Sequence, residues 1–113
     1  EQGLIARLPR PKRNKMEIYH DILTAISLEL TNYHYYHEDK QGAKPTRVQL
    51  KSNLAYDKFT RYLNELEDRK MIKQNPLLMT ERGKDFLQDY QRIADFVLEM
   101  GIKYMDFSEE DMK

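Results

Sequence analysis

The segment from Thr46 to Gly83, TRVQLKSNLAYDKFTRYLNELEDRKMIKQNPLLMTERG, decides the fold of this 113-residue chain. Its beginning predicts a short helix, because Pro45 disfavours helical geometry in the residue before it and so marks a break. A second, amphipathic helix follows over residues 56–70. Its buried face is predicted from apolar residues at the spacing of one helical stripe, namely Phe59, Leu63 and Leu66.

Beyond this helix the hydrophobic pattern changes from helical to extended. Ile72-Lys73-Gln74 and Leu77-Leu78-Met79 are two short apolar runs around Asn75-Pro76, which predicts a small β-hairpin. Thr80 then has the residue type of an N-cap, with Glu81 in the following first turn. A short helix, a tight turn, an amphipathic helix and a hairpin in this order predict a mainly α fold, a winged helix-turn-helix with a small hairpin wing.

The segments before Thr46 divide into three parts. Residues 1–13 predict a flexible basic arm, and a helix is expected to begin near Asn14. One buried face of that helix is indicated by Tyr19, Ile22, Leu23, Ile26 and Leu30. The Tyr/His-rich segment 31–39 either prolongs this helix or forms a loop, and its tyrosines make it a candidate contact for a protein partner.

The C-terminal helix is expected to run from Thr80 to about Met105, with residues 84–105 serving in dimerisation and residues 106–113 forming an acidic tail. It carries apolar residues at spacings of 4, 3, 4, 3 and 4, which is a heptad pattern: Phe86, Tyr90, Ile93, Val97, Met100 and Tyr104. A helix this long outreaches so small a domain, so the pattern favours a homodimer. The alternative is that the helix folds back on its own domain.

Charge is distributed in alternating blocks although the chain is neutral overall. Residues 1–15 carry five basic groups against one acidic, and residues 44–84 carry ten against five. The intervening segment and the C-terminal segment are acidic. Because phosphate binding depends on the local field, a neutral protein with two basic segments remains a candidate for nucleic-acid binding. The alternative is an ordinary solvated surface.

Five short blocks occur in the order of a known family. They are Lys15-Met16-Glu17-Ile18, Thr46-Arg47-Val48, Asn53-Leu54-Ala55-Tyr56, Arg61-Tyr62-Leu63 and Leu78-Met79-Thr80-Glu81-Arg82-Gly83. Together they resemble the small archaeal winged-helix proteins typified by the ten-kilodalton DNA-binding proteins of Sulfolobales, over about residues 15–90. The resemblance implies binding to duplex DNA and pairing through an antiparallel coiled coil of the last helices.

The chain departs from that family in three places. Ala55 stands where the family usually has serine, which removes an N-cap worth about 1 kcal/mol. The wing is short, and the Tyr/His-rich segment looks like an insertion.

The positions of helix 56–70 that point away from its apolar stripe are the candidate base contacts. The N-terminal part of a recognition helix enters the major groove, where Arg pairs with guanine and Asn with adenine. The candidates are Tyr56, Lys58, Thr60, Arg61 and Asn64. Solubilising an exposed helix face is the alternative role. Candidates for the phosphate backbone are Arg47, Lys51, Lys73, Arg82, Arg7, Arg10, Lys12 and Arg13.

Other kinds of site find little support. The chain has no cysteine, so neither disulfides nor thiolate metal sites are expected. His34-x-x-His37 in a polar stretch is typical of a solvated loop rather than of a metal site. No catalytic constellation and no cofactor motif is present, and no apolar run is long enough to cross a bilayer. The prediction is a cytoplasmic, nucleoid-associated, non-enzymatic protein.

Three functions are compatible with these features. A dimeric transcription regulator that reads the major groove of double-stranded DNA is the leading hypothesis. An architectural or plasmid-partition protein with little sequence preference is the first alternative. The second is a winged-helix module for protein–protein contact.

Overall fold

Four helices and one hairpin make up the part of the chain that the structure describes. The structure, a computed structural model, describes residues 12–36 and 42–105, with only the backbone for residues 32–36. The elements are α1 (Lys15–Tyr36), α2 (Pro45–Ser52), α3 (Tyr56–Asp68), β1 (Ile72–Lys73), β2 (Leu78–Met79) and α4 (Glu81–Met100), followed by a π-helical segment (Gly101–Met105). This order confirms the predicted winged helix with a long C-terminal helix.

Helix α1 begins with a capping box, as the residue type of Asn14 predicts. The Asn14 Oδ1 accepts a hydrogen bond from the Glu17 amide at 2.8 Å, and the Glu17 carboxylate accepts one from the Asn14 amide at 2.9 Å. The helix continues to Tyr36 and so includes the first part of the Tyr/His-rich segment. The rest of that segment, residues 37–39, lies outside the described residues, as do residues 1–11 of the basic arm and the acidic tail 106–113.

The core lies between α1, α2, α3 and the hairpin. The predicted apolar stripe of α1 is buried, and Ile22, Leu23 and Ile26 are fully inaccessible. The stripe of α3 meets it from the other side, with Phe59, Leu63 and Leu66 all buried. Because the apolar residues of each stripe recur every three to four positions, each helix has one orientation that buries its whole stripe. The opposite face of α3 is thereby directed outward.

Tyr19 joins three helices at one end of this core. Its ring makes edge contacts with the rings of Tyr62 in α3 and Phe86 in α4, each at a centroid distance of 6.2 Å. Its hydroxyl donates a 2.7 Å hydrogen bond to Glu65 and accepts one of 2.9 Å from Arg69. Tyr19 thus fixes both the orientation of α3 and the point from which α4 departs.

The hydrogen bond between Tyr19 and Glu65 makes the stability of the fold depend on pH. The hydrogen bond from Tyr19 is the main reason that the pKa of Glu65 lies below its ordinary value of 4.5, against the opposing effect of burial. A carboxyl group with a lowered folded-state pKa stabilises the fold above its unfolded-state pKa, and this contribution is lost as the pH falls through the folded-state value. We expect Tyr19→Phe to reduce the free energy of unfolding at pH 7 by about 1 kcal/mol. It should also weaken the decline of stability below pH 4.5, as urea denaturation at several pH values would measure.

Tyr90→Phe is the matched control for this measurement. The Tyr90 ring stacks on His20 with centroids 4.2 Å apart, while its hydroxyl forms no hydrogen bond with any described residue. Tyr90→Phe should leave the decline of stability below pH 4.5 the same as in the unmodified protein. If stability declines equally in acid in the unmodified protein and in Tyr19→Phe, the Tyr19–Glu65 hydrogen bond is not the cause of that decline.

The wing is the hairpin formed by β1 and β2, in which Ile72 pairs with Met79 and Lys73 with Leu78. Each strand is one residue shorter than the sequence predicts. A rung that the sequence did not predict extends the hairpin, since the Ala43 amide donates a 2.9 Å hydrogen bond to the Leu77 carbonyl. Gly42 permits this approach, because a Cβ there would lie 2.7 Å from the Cβ of Pro76. The segment before α2 therefore braces the wing.

Helix α4 differs from the prediction in two respects. Thr80 caps it as predicted, but the α-helix ends at Met100, and the segment to Met105 is π-helical. Phe86 and Tyr90, predicted at the dimer interface, pack on Tyr19 and His20 of the same chain. A heptad pattern indicates an apolar face without indicating which surface covers it, and α1 covers this first part. Every residue from 91 to 100 is exposed.

Candidate nucleic-acid interface

The turn between α2 and α3 is held by hydrogen bonds to its backbone. Asn53 adopts the left-handed conformation, with φ 56° and ψ 52°, and its amide donates to the Leu50 carbonyl. Ser52 is buried and donates from Oγ to the Val48 carbonyl at 2.7 Å. The side-chain amide of Gln49 donates from Nε2 to the Leu54 carbonyl at 3.1 Å. Gln49 therefore closes the turn, and the relative placement of α2 and α3 is set before any partner binds.

Arg13 braces the same turn from the start of α1. Its Nη1 lies 2.6 Å from Asp21 Oδ2 and 2.8 Å from the Ser52 carbonyl, and its Nη2 lies 2.9 Å from the Asn53 carbonyl. The sequence placed Arg13 in a flexible arm, but these contacts anchor it. A guanidinium has several donors in a fixed plane, so it can satisfy a carboxylate and two carbonyls together. The donors engaged here are not directed at a nucleic acid.

Charge divides α3 into two halves. Lys58 and Arg61 lie on its first two turns with one acid, Asp57, whereas the second half carries only acids, Glu65, Glu67 and Asp68. Glu65 is paired with Lys15 at 3.3 Å. Only the first half presents cations that lack an ion pair within the described chain. A polyanion would therefore approach the N-terminal end of α3 and be repelled from its C-terminal end.

The predicted base-contact residues lie on or beside this basic half. Tyr56, at the first position of α3, is 68% exposed. Lys58 and Arg61 are exposed, and the Arg61 guanidinium lies 5.7 Å from the centroid of the Tyr62 ring. Thr60 is only half-buried. These residues share one end of the helix and its solvent-facing side.

Asn64 is tied to the wing rather than free. The Gln74 side chain donates to Asn64 Oδ1 at 3.1 Å and to Glu67 Oε1 at 2.9 Å. Its backbone amide also donates to Glu67 Oε2, at 3.2 Å. Gln74, which the sequence did not single out, links the wing to α3. The Oδ1 of Asn64 is thereby partly used, while its amide nitrogen keeps two donors.

Among the predicted phosphate contacts, Arg47 and Lys51 converge on one buried acid. Glu29 of α1 has a side chain only 2% exposed. Its Oε1 is 2.9 Å from Arg47 Nε, and its Oε2 is 3.4 Å from Lys51 Nζ. Glu29 partly neutralises both cations and holds them along α2. The sequence contained a signal for it, since an acid at this position interrupts the apolar stripe of α1 and therefore requires a partner.

The remaining predicted phosphate contacts are dispersed. Lys73 is exposed on the wing, and Lys12 is exposed beside the start of α1. Arg82 donates from Nε to the Arg69 carbonyl, which places it at the C-terminal end of α3 and away from Lys58. Arg7 and Arg10 lie outside the described residues.

Two further observations concern other kinds of site. In residues 12–36 and 42–105, no group of three or more His, Cys, Asp or Glu residues is arranged to hold a metal ion. The side chains of His34 and His37 lie outside the described residues. No described helix combines the length and hydropathy of a membrane span.

A braced helix-turn-helix with a hairpin directly after its second helix defines a winged helix-turn-helix domain, a class that serves typically as a DNA-binding module rather than an enzyme. A family model described as winged helix-turn-helix matches residues 36–97, which is more than half of the chain. The chain therefore belongs to the winged helix-turn-helix family. No curated protein matches it.

Proposed function

We propose that this protein is a dimeric transcription regulator that binds double-stranded DNA and reads the major groove with the first half of α3. The observation that carries the proposal is the placement of Lys58 and Arg61. Both are exposed on the solvent-facing side of a helix whose orientation is fixed by the core and by the turn before it. Such preorganisation lowers the entropic cost of binding.

The roles of the side chains follow from their chemistry. Arg61 is assigned to a guanine, because a guanidinium can donate to O6 and N7 together. Asn64, whose oxygen is engaged by Gln74, is assigned as a donor to base acceptors. Tyr56 and Thr60 complete the base-reading surface, and Lys58 is placed to contact either a base or a neighbouring phosphate. Arg47, Lys51, Lys12 and Lys73 are assigned to backbone phosphates.

Dimerisation is assigned to the free part of α4 and the segment after it. Eight large apolar side chains there are between 41% and 70% exposed: Ile93, Phe96, Val97, Leu98, Met100, Ile102, Tyr104 and Met105. Exposed apolar side chains in this number mark an interaction site. A second copy of the same helix, antiparallel to the first, offers a matching face. The protein would then present two copies of α3 to two half-sites about 34 Å apart.

We further propose kinship with the small archaeal proteins that the sequence resembles, and a nucleoid-associated location in the cytoplasm. The shared blocks at the starts of α1, α2 and α3 support this relationship. The resemblance also supplies the antiparallel arrangement of the paired helices.

The decisive experiment is a titration of labelled duplexes, random and enriched by selection, at several salt concentrations. A protein that engages Z phosphates should lose affinity with a log–log slope near −0.9Z. Preference for enriched duplexes supports the regulator. Equal binding of all duplexes would favour the architectural or partition role, and no binding at low salt would favour a protein–protein interaction module.

Arg61→Ala and Lys51→Ala test the assigned roles against each other. Arg61→Ala should cost roughly 1–3 kcal/mol on the preferred duplex and relax its sequence preference, because a base contact is lost. Lys51→Ala should weaken all duplexes alike and reduce the salt slope by about one, because a phosphate contact is lost. Competition binding at two salt concentrations separates the two patterns. The reverse outcome would mean that the roles are exchanged.

A further inference from the structure

A concave cleft lies between the start of α1, the turn after α2 and the first half of α3. Its volume is about 780 Å³, a size that holds small ligands in many proteins. Its wall includes five cationic side chains and a single carboxylate, Asp21. The cations are Lys12, Arg13, Lys51, Lys58 and Arg61. We propose that this cleft is a phosphate-binding site.

The groups that would repel an anion are already neutralised. The Asp21 carboxylate is paired with Arg13 at 2.6 Å. The carbonyls of Ser52 and Asn53 accept hydrogen bonds from the same guanidinium, although they lie at the C-terminal end of α2, where the helix dipole is negative. Arg13 is thus a positioning residue, which covers the negative part of the cleft without facing the ligand itself.

The groups that would attract an anion remain available. Lys12 and Lys58 form no ion pair or hydrogen bond with any residue in the described ranges. Arg61 lies over the ring of Tyr62, which also lines the cleft, and makes no ion pair within those ranges. Lys51 is already paired with Glu29, with Nζ 3.4 Å from Oε2. Three uncompensated cations around one concave surface favour a multiply charged anion, and a low-dielectric wall concentrates their field.

The phosphate has two sources with the same chemistry, a DNA backbone or a free phosphorylated molecule. Only the first depends on the proposed function. A DNA phosphate held here would lie beside Arg61, and it would fix the register of α3 in the groove. A free phosphorylated molecule would occupy cations that DNA also needs, and so would compete with DNA.

The test uses the full chain and the double variant Lys12→Gln/Lys58→Gln, with Lys84→Gln as matched control. Lys84 is an exposed lysine that pairs with Glu81 on α4, outside the cleft. In the first arm, inorganic pyrophosphate is added to isotope-labelled protein without DNA. The backbone amide signals of Asn53 and Leu54 should shift to saturation, with an apparent Kd at least about tenfold weaker in the double variant and unchanged in the control.

The second arm measures duplex affinity against salt for the same three proteins. A slope reduced by about two in the double variant assigns the phosphate to DNA, since each lysine lost from a phosphate contact removes about one. An unchanged slope, with saturable pyrophosphate binding, assigns it to a free phosphorylated molecule. If no protein binds duplex but pyrophosphate saturates, the cleft stands and the proposed function fails. The cleft is not a phosphate-binding site if the amide signals do not saturate with pyrophosphate. The same conclusion follows if Lys84→Gln weakens pyrophosphate binding as much as the double variant does, whatever the salt slope of duplex binding.

Discussion

Gly83→Ala is expected to destabilise the domain by roughly 1–3 kcal/mol or more, the range for overpacking a filled core. Gly83 is buried on the first turn of α4, and a Cβ there would lie 2.4 Å from the Met71 carbonyl oxygen and 2.7 Å from Met79 Cγ. That carbonyl accepts a 3.0 Å hydrogen bond from the Thr80 amide. The added methyl group would therefore push α4 away from the end of α3 and from the wing.

Thermal unfolding followed by circular dichroism measures this effect. A loss of 1 kcal/mol lowers the Tm of a domain of this size by about 4–8 °C. The intrinsic helix preference of alanine over glycine, about 1 kcal/mol, acts in the opposite direction. The steric penalty is expected to exceed it, because the nearest atom belongs to the backbone and cannot move aside alone.

Gly101→Ala is the matched control, since it makes the same change at the position that directly follows α4. Gly101 has helical dihedral angles, φ −61° and ψ −46°, and apart from its adjacent residues and its own helix backbone no described atom lies within 4 Å of its added Cβ. Alanine should leave the Tm unchanged or raise it. A similar fall of Tm in both variants would show that close packing at Gly83 is not the cause.

The sequence predicted the elements of this fold because they repeat locally. The apolar stripes of α1 and α3 have the helical period, and Thr80 has the residue type of a cap. The hairpin followed from two short apolar runs around Asn75-Pro76. Each of these signals lies within about twenty residues of chain, so that no knowledge of distant contacts is needed.

The contacts that shape the candidate interface were not predicted, since each joins residues of different secondary-structure elements or connecting segments, which no periodic pattern relates. Arg13 meets the carbonyls of Ser52 and Asn53, and Gln74 reaches back to Asn64. Periodicity places a residue on a face but does not say which residue faces it. From the sequence, Arg13 was therefore predicted to belong to the basic arm. Glu29 alone carried a signal, an acid within an apolar stripe.

In α4, one heptad pattern serves two purposes. Phe86 and Tyr90 pack on Tyr19 and His20 of the same chain, and this explains why the pattern begins so early. Only its later part, from Ile93 onward, is left exposed. The proposed dimer contact is accordingly shorter than the sequence indicates, and its residues can be altered without disturbing the domain.

Val97→Asp is expected to convert the protein from a dimer into a folded monomer. Val97 is 62% exposed within the protomer, so the change should leave its circular dichroism spectrum intact. In the proposed dimer the new carboxylate would be buried in an apolar contact, at a cost of several kcal/mol. Sedimentation should report half the mass. Affinity for a duplex with two half-sites should fall by about 10²–10⁴-fold, because the second half-site is no longer engaged by the same molecule.

Gln88→Asp provides the matched control for the charge itself. Gln88 is exposed and lies nine residues earlier on α4, which at about 100° per residue places it on the opposite side of the helix. It adds the same carboxylate to an already polar face and should change neither mass nor affinity. An unchanged mass in Val97→Asp would remove α4 from the dimer contact. Equal loss of duplex affinity in both variants would instead attribute the effect to repulsion between the added carboxylate and phosphate. Loss confined to Val97→Asp, and confined to duplexes with two half-sites, requires that two copies of α3 act together.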